Sequence, residues 1–322
     1  MKSHEYLKNK ASVLIPRYIP TDPDNKTKYL VFCKMYKGKV DAYRGEAVDF
    51  NSPIAKYLQD AMALQTKPIE TRLKFYFSHL ESPDWSVSAD ALREFAVADY
   101  KDVAKVAANF SPDQLLKWLR DPNTSSVRYG LYGMLLGHAG TWEKHGSALK
   151  KMLDDPKVRE ASGFDGLLAG FILLNKQSGM KYAKDLLYDT KNEYLLRYAV
   201  MRGLKFFQDY RQDIISRTEV VEVLTPLLDQ EDLSDLVIEE FRRQEVWSLA
   251  GQIVQYFDKE GFDVPLIQRS IMRYALAAPG DCWPAVELLE RMRSDVDSKE
   301  ILDDIENILE LEMKSSSIPS SE

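Results

Sequence analysis

The sequence predicts a mostly α-helical fold, an α-solenoid of stacked helix pairs preceded by a short antiparallel β segment, and three observations predict it. From Ser52-Pro53 onward, apolar residues fall three and four apart. Gly130, Gly133 and Gly137 recur as Gly163, Gly166 and Gly170, displaced by 33 residues, and Ala199 and Gly203 continue the last two positions by another 33. Between Ser12 and Val48 the pattern instead alternates or is continuously apolar, which marks strand.

The β segment comes first. SVLIPRYI (12–19), KYLVFCKMY (28–36) and KVDAYRGEAV (39–48) read as strands, with Lys37-Gly38 as a hairpin turn and PTDPDNKT as a loop. Two or three strands rarely bury their own face. The segment is therefore expected to lean on the helices, join another chain, or be the remnant of a larger β domain. The expected division is residues 1–50 for this segment, 51–313 for the helical array and 314–322 for a disordered polar tail.

Helices are expected at 53–65, 68–81, 84–98, 100–109, 112–120, 124–139, 142–153, 158–174, 178–188, 192–209, 218–229, 232–246, 248–259, 264–278, 283–293 and 298–312. Ser111-Pro112 and Asp263 read as caps or first-turn residues, and Asp121-Pro122 and Asp155-Pro156 as breakers. The breaker recurs with the glycines, as WLRDP at 118–122, MLDDP at 152–156 and LLYDT at 186–190. The last helix carries Ile301, Leu302, Ile305, Ile308 and Leu309 on one side and acids opposite, the pattern of a terminal cap.

Each interior glycine weakens an isolated helix by about 1 kcal/mol relative to alanine, so three in one helix require a return. A small-residue strip at Gly130, Gly133 and Gly137, beside an apolar stripe of Val127, Leu131, Met134, Leu135 and His138, would let a neighbouring backbone approach closely. Close packing predicts that leucine at Gly133 is much worse than alanine. A glycine-lined ligand crevice is the competing reading.

LRDPNTSSVRYGLYGMLLGHAG (119–140) resembles the second-helix pattern of HEAT repeats: Leu, Asp-Pro, a Val-Arg pair, then small and apolar residues ending in Leu-Gly. LESPDWSVSADALREFA (80–96) resembles it again, with Ser88 where arginine is usual. The resemblance spans roughly 53–312, is good in three units and loose after about 210. It implies a right-handed solenoid whose curved surface serves a protein or peptide partner, and a non-enzymatic scaffold role. It also implies that Arg128 pairs with a loop aspartate, Asp121 or Asp155. A β segment ahead of HEAT-like helices further resembles bacterial proteins with an N-terminal β domain and an export signal. That likeness implies an exported or periplasmic location if the start is missing; as written, the chain reads as cytoplasmic.

Composition narrows the remaining classes. Lys plus Arg total 43 against 50 for Asp plus Glu, a net charge of -7, which disfavours nucleic acid as a partner. No apolar run reaches the length of a membrane span, and the N-terminus lacks the apolar core of a signal peptide. Cys33 and Cys282 have no paired spacing and read as buried thiols. His138, Glu143 and His145 lie close in sequence but lack HExxH spacing, so no metal is expected, and His138 reads as a core imidazole. Nucleophile-elbow, P-loop and dinucleotide signatures are absent, and no cofactor is expected. Trp85, Trp118, Trp142, Trp247 and Trp283 each read as core. The candidate partner-binding residues are Arg128, Arg197, Arg202 and Arg273, on second helices. A HEAT-like enzyme, resembling a nucleic-acid glycosylase or a chromophore lyase, is the alternative class.

Overall fold

The computed structural model describes residue 24 and residues 27–316. The chain divides into two compact units, one ending at Phe110 and the other beginning at Ser111. This division falls well after the change from strand to helix near residue 51, because the Phe110 ring stacks on Phe77 at 3.8 Å while the next residue, Ser111, caps a helix of the second unit.

In the first unit, β1 (Thr27–Tyr36) and β2 (Lys39–Asp49) pair antiparallel, from Thr27 opposite Asp49 to Tyr36 opposite Lys39. Lys37 and Gly38 form the turn, both with positive φ (49° and 74°), the geometry whose twist matches that of the two strands. A register shift at Phe32/Cys33 bulges β1. Phe32, Met35, Tyr36 and Tyr43 are exposed and Ala42 is buried. Cys33 is exposed and Cys282 half-buried, so neither is the buried thiol expected. The expected SVLIPRYI strand and His4 lie outside the described residues, as do residues 317–322 of the expected tail.

Four helices complete this unit: α1 (Ile54–Ala63), α2 (Ile69–Phe77), α3 (Trp85–Val97) and α4 (Tyr100–Ala107). Leu73, Leu80, Val87 and Ala91 are fully buried among them. Asp84 caps α3 by accepting from the Val87 N–H. Tyr57 donates to Asp90 at 2.7 Å, and burial followed by Asp90 raises its phenol well above the ordinary range.

The second unit runs α5 (Pro112–Arg120), α6 (Tyr129–Ala139), α7 (Ser147–Leu153), α8 (Pro156–Arg159), α9 (Phe164–Leu174), α10 (Lys176–Tyr188), α11 (Tyr194–Tyr210), α12 (Arg217–Leu224), α13 (Ser234–Arg243), α14 (Ala250–Gln255), α15 (Pro265–Ala277), α16 (Trp283–Ser294) and α17 (Val296–Ser316). Helices α6, α9 and α11 pack in series, as do α13, α15 and α17. Helices α5, α10 and α16 flank these series. Caps follow the sequence where a short polar side chain precedes proline or an apolar run: Ser111 accepts from Gln114 N and Asp155 from Lys157 N.

Five local expectations are corrected. The helix expected at 158–174 is broken: α8 ends at Arg159, and Gly163, with a φ of 90°, stands at the cap that opens α9. Val264, not Asp263, stands at the cap of α15. The stripe on α6 is rotated: Val127 is 63% exposed in a short 3-10 turn, whereas Tyr132, Leu135 and Leu136 are fully buried. Helix α6 is apolar nearly all round, so period alone cannot choose its buried face. Trp85 and Trp283 are 78% and 79% exposed rather than core. Each is the first residue of its helix, and helical side chains lean back over the preceding turn, which is missing there. Finally, α17 continues through residues 314–316, which were expected in the tail.

Candidate interaction surface

The site begins with how the second helices meet. A Cβ on Gly133 would stand 2.7 Å from Leu167 Cα, one on Gly137 2.7 Å from Gly170 Cα, and one on Gly170 1.9 Å from the Gly133 carbonyl oxygen. Gly130 lies against Gly163 and Gly166. Residue order increases together on both sides, so α6 and α9 run parallel with their backbones in contact. The two glycine strips face each other across this single interface. Beyond it the approach loosens: a Cβ on Gly203 would stand 3.2 Å from the Asp165 oxygen, and Ala199 carries a real Cβ. The glycines of α6 and α9 thus serve close contact between the two backbones.

The four candidate arginines come next, and the structure redirects them. Arg197 is 3% exposed. Its guanidinium holds both carboxylate oxygens of Asp232, donates to Gln230 Oε1, and through Nε donates to the Asn192 carbonyl at 3.1 Å. It therefore ties α11 to the loop before α13 and is not available to a partner. Arg273 is also committed internally, with Nε 2.8 Å from Glu239 and Nη2 on Glu312. Arg202 lies 3.3 Å from Asp165 and over the Tyr198 ring, and remains about half exposed. Arg128 donates to the Tyr132 hydroxyl at 3.2 Å. Asp121 and Asp155, its expected partners, each accept a backbone N–H at a turn.

These contacts form a ladder along α9, α11, α13, α15 and α17. Arg202–Asp165 joins α11 to α9, Lys205–Glu240 at 2.9 Å joins α11 to α13, Arg273–Glu239 joins α15 to α13, and Arg273–Glu312 joins α15 to α17. Arg242 adds contacts to Glu239 and Glu312. Burial pushes the Glu312 carboxyl up, but Arg273 and Arg242 hold it below the usual carboxylate range.

At the end of the ladder a cleft of about 750 Å³ opens between α13, α15 and α17. Its apolar lining includes Leu266, Ile301 and Ile308, which are 61%, 38% and 49% exposed. Arg243 and Arg269 also line it. Among the described residues neither has a carboxylate at ion-pair distance, in contrast to Arg197, Arg202, Arg242 and Arg273. Burial raises the Asp235 carboxyl in the same cleft. On α11, burial and then Asp235 raise the Tyr194 phenol, and its ring stacks on Tyr198 at 6.1 Å. Sequence reasoning missed Arg243 and Arg269. The signal was the Arg242-Arg243 pair: adjacent helical residues point about 100° apart, so they cannot share one partner face.

Two other clefts of about 760 and 500 Å³ lie along α10, where Lys176, Lys181 and Lys150 hold Glu219, Asp185 and Asp154 within 2.7 Å, while Lys184 and Glu222 line the first without an ion pair among the described residues. His138 is held down at about 4 by burial and then by Arg211, and His145 is buried with Nδ1 on the Thr141 N–H. Among the described residues no three His, Cys, Asp or Glu side chains converge as a metal group, and no helix is long and apolar enough to cross a membrane.

No protein-family model, curated protein or solved structure is similar enough to the chain to count as a match.

Proposed function

We propose that the chain is an α-solenoid of HEAT-like helix pairs acting as a non-enzymatic interaction scaffold, and that its second-helix face docks a segment of a protein or peptide partner. The parallel contact of α6 with α9 and the Arg197–Asp232 tie between successive layers support the stacked reading. One observation carries the docking reading. On a face where most arginines are matched internally, Arg243 and Arg269 stand unmatched among the described residues beside exposed Leu266, Ile301 and Ile308. Guanidinium groups flanking uncovered apolar side chains suit a segment that presents carboxylates next to apolar residues.

A photo-crosslinking residue placed at Leu266 or Tyr198 in the native host tests this. The expected result is a discrete adduct whose crosslinked peptide carries acidic and apolar residues, lost in the Arg269→Glu variant and absent when the crosslinker sits at Lys184. Equal adducts at all three positions, or none, would overturn the reading.

A further inference from the structure

Helix α17 has more apolar surface than its own neighbours cover. Leu302, Ile305 and Leu309 are buried, yet Ile301, Ile308 and Leu311 are 38%, 49% and 65% exposed. At about 100° per residue the two sets form one arc of about 180°, wider than the stripe of roughly 100° that packs a surface helix on a core. Its polar side is acidic, with Glu300, Asp303, Glu306 and Glu310 against Lys299, while Asp304 and Glu312 fall within the apolar arc.

The cleft beside α17 is deficient in the complementary sense. Among the described residues Arg243, Arg269 and Asp304, which line this cleft together, have no ion-pair partner, and Leu266 is 61% exposed. One surface therefore carries both unmatched guanidinium groups and an unmatched carboxylate around an uncovered apolar patch. A surface holding both halves of its own ion pairs is complementary to itself, which is the requirement of a two-fold interface. We infer that two copies of this chain associate here, α17 of each lying in the cleft of the other. Ile308 and Leu311 then meet Leu266 and Ile301 of the second copy, and Asp304 meets Arg243 and Arg269. The inference rests on the reading of this face as a docking surface and names what covers its C-terminal end.

Analytical ultracentrifugation of the full chain over a broad concentration range tests it. The wild type is expected to reach twice the chain mass, and raised salt to weaken it. The variant carrying both Arg243→Glu and Arg269→Glu is expected to dissociate ~10-fold or more readily, and adding Asp304→Arg to restore association by reversing both sides together. Leu266→Asp should weaken the dimer with helical circular dichroism unchanged, since that side chain is exposed. A monomer at every concentration, or a dimer indifferent to these charge reversals, would overturn the inference. A monomer that still forms a discrete adduct with a different protein at Leu266 would refute the second copy while supporting the docking reading. Failure of both measurements would refute both.

Discussion

Gly170 is the position where one methyl group does most damage. Its Cβ would stand 1.9 Å from a carbonyl oxygen of α6, and backbone cannot rotate away as a side chain can. Gly170→Ala is expected to cost about 3 kcal/mol, the upper part of the range for overpacking, read as a fall in the denaturant midpoint. Gly251→Ala, inside α14 with only Pro284 Cγ at 3.8 Å, should instead gain roughly 0.5–1 kcal/mol in helix propensity. The sequence suggested that leucine at Gly133 would be much worse than alanine. The 2.7 Å approach to Leu167 Cα excludes alanine as well. His138 supplies a pH dependence. Burial and Arg211 hold its pKa at about 4 against an ordinary 6.5, so the unfolded chain takes up this proton first. Stability is expected to fall as pH drops from 6.5 to about 4 and then level off in this contribution. Urea unfolding of wild type and His138→Leu across that window checks it, the variant showing the shallower slope.

Between elements, two contacts show how helices are held to their neighbours. Arg197 crosses from α11 to the loop before α13, and its removal uncovers Asp232 and Gln230. Arg197→Met is expected to cost about 3 kcal/mol, the low end for breaking a buried pair, because half-exposed Asp232 can rehydrate. Arg197→Lys should recover little, since an ammonium cannot span both carboxylate oxygens. At the start of α12, Ser216 and Glu219 form a capping box, and Lys176 on α10 reaches Glu219 at 2.6 Å. Lys176 first, then the Ser216 N–H, lowers the Glu219 pKa to about 2. Its contribution is present above the ordinary 4.5 and fades as pH falls toward 2, which a carboxylate NMR titration would follow. Ser216→Ala should cost about 1 kcal/mol. Much at this scale was legible in sequence: the Lys37-Gly38 turn, the Ser111 cap, the break at Asp155-Pro156 and most helix positions, all set by neighbours close along the chain. The face each helix buries was not. Val127 looked like core and is exposed, because a helix apolar on several sides gives no periodic preference for one of them.

For the molecule as a whole, the division after Phe110 makes an expectation. Residues 111–322 enclose their own core, from Leu115 and Leu119 on α5 to Leu302 and Leu309 on α17. A chain restricted to those residues should unfold as a cooperative helical protein, monitored by circular dichroism against urea. A broad, non-cooperative transition would show that the first unit is required.

What the sequence by itself determined is the alternation of strand turn and helix, the breaks between helices, and the placement of small residues where backbones would approach. Those properties follow from φ preference, side-chain entropy and capping, which act over a few residues. Only the tertiary structure decided that the two glycine strips face each other, that Arg197 and Arg273 are matched internally, and that among the described residues Arg243 and Arg269 are left unmatched beside exposed Leu266. Each of those outcomes depends on how a helix is rotated about its own axis against residues more than thirty positions away, and neither residue type nor local spacing carries that rotation.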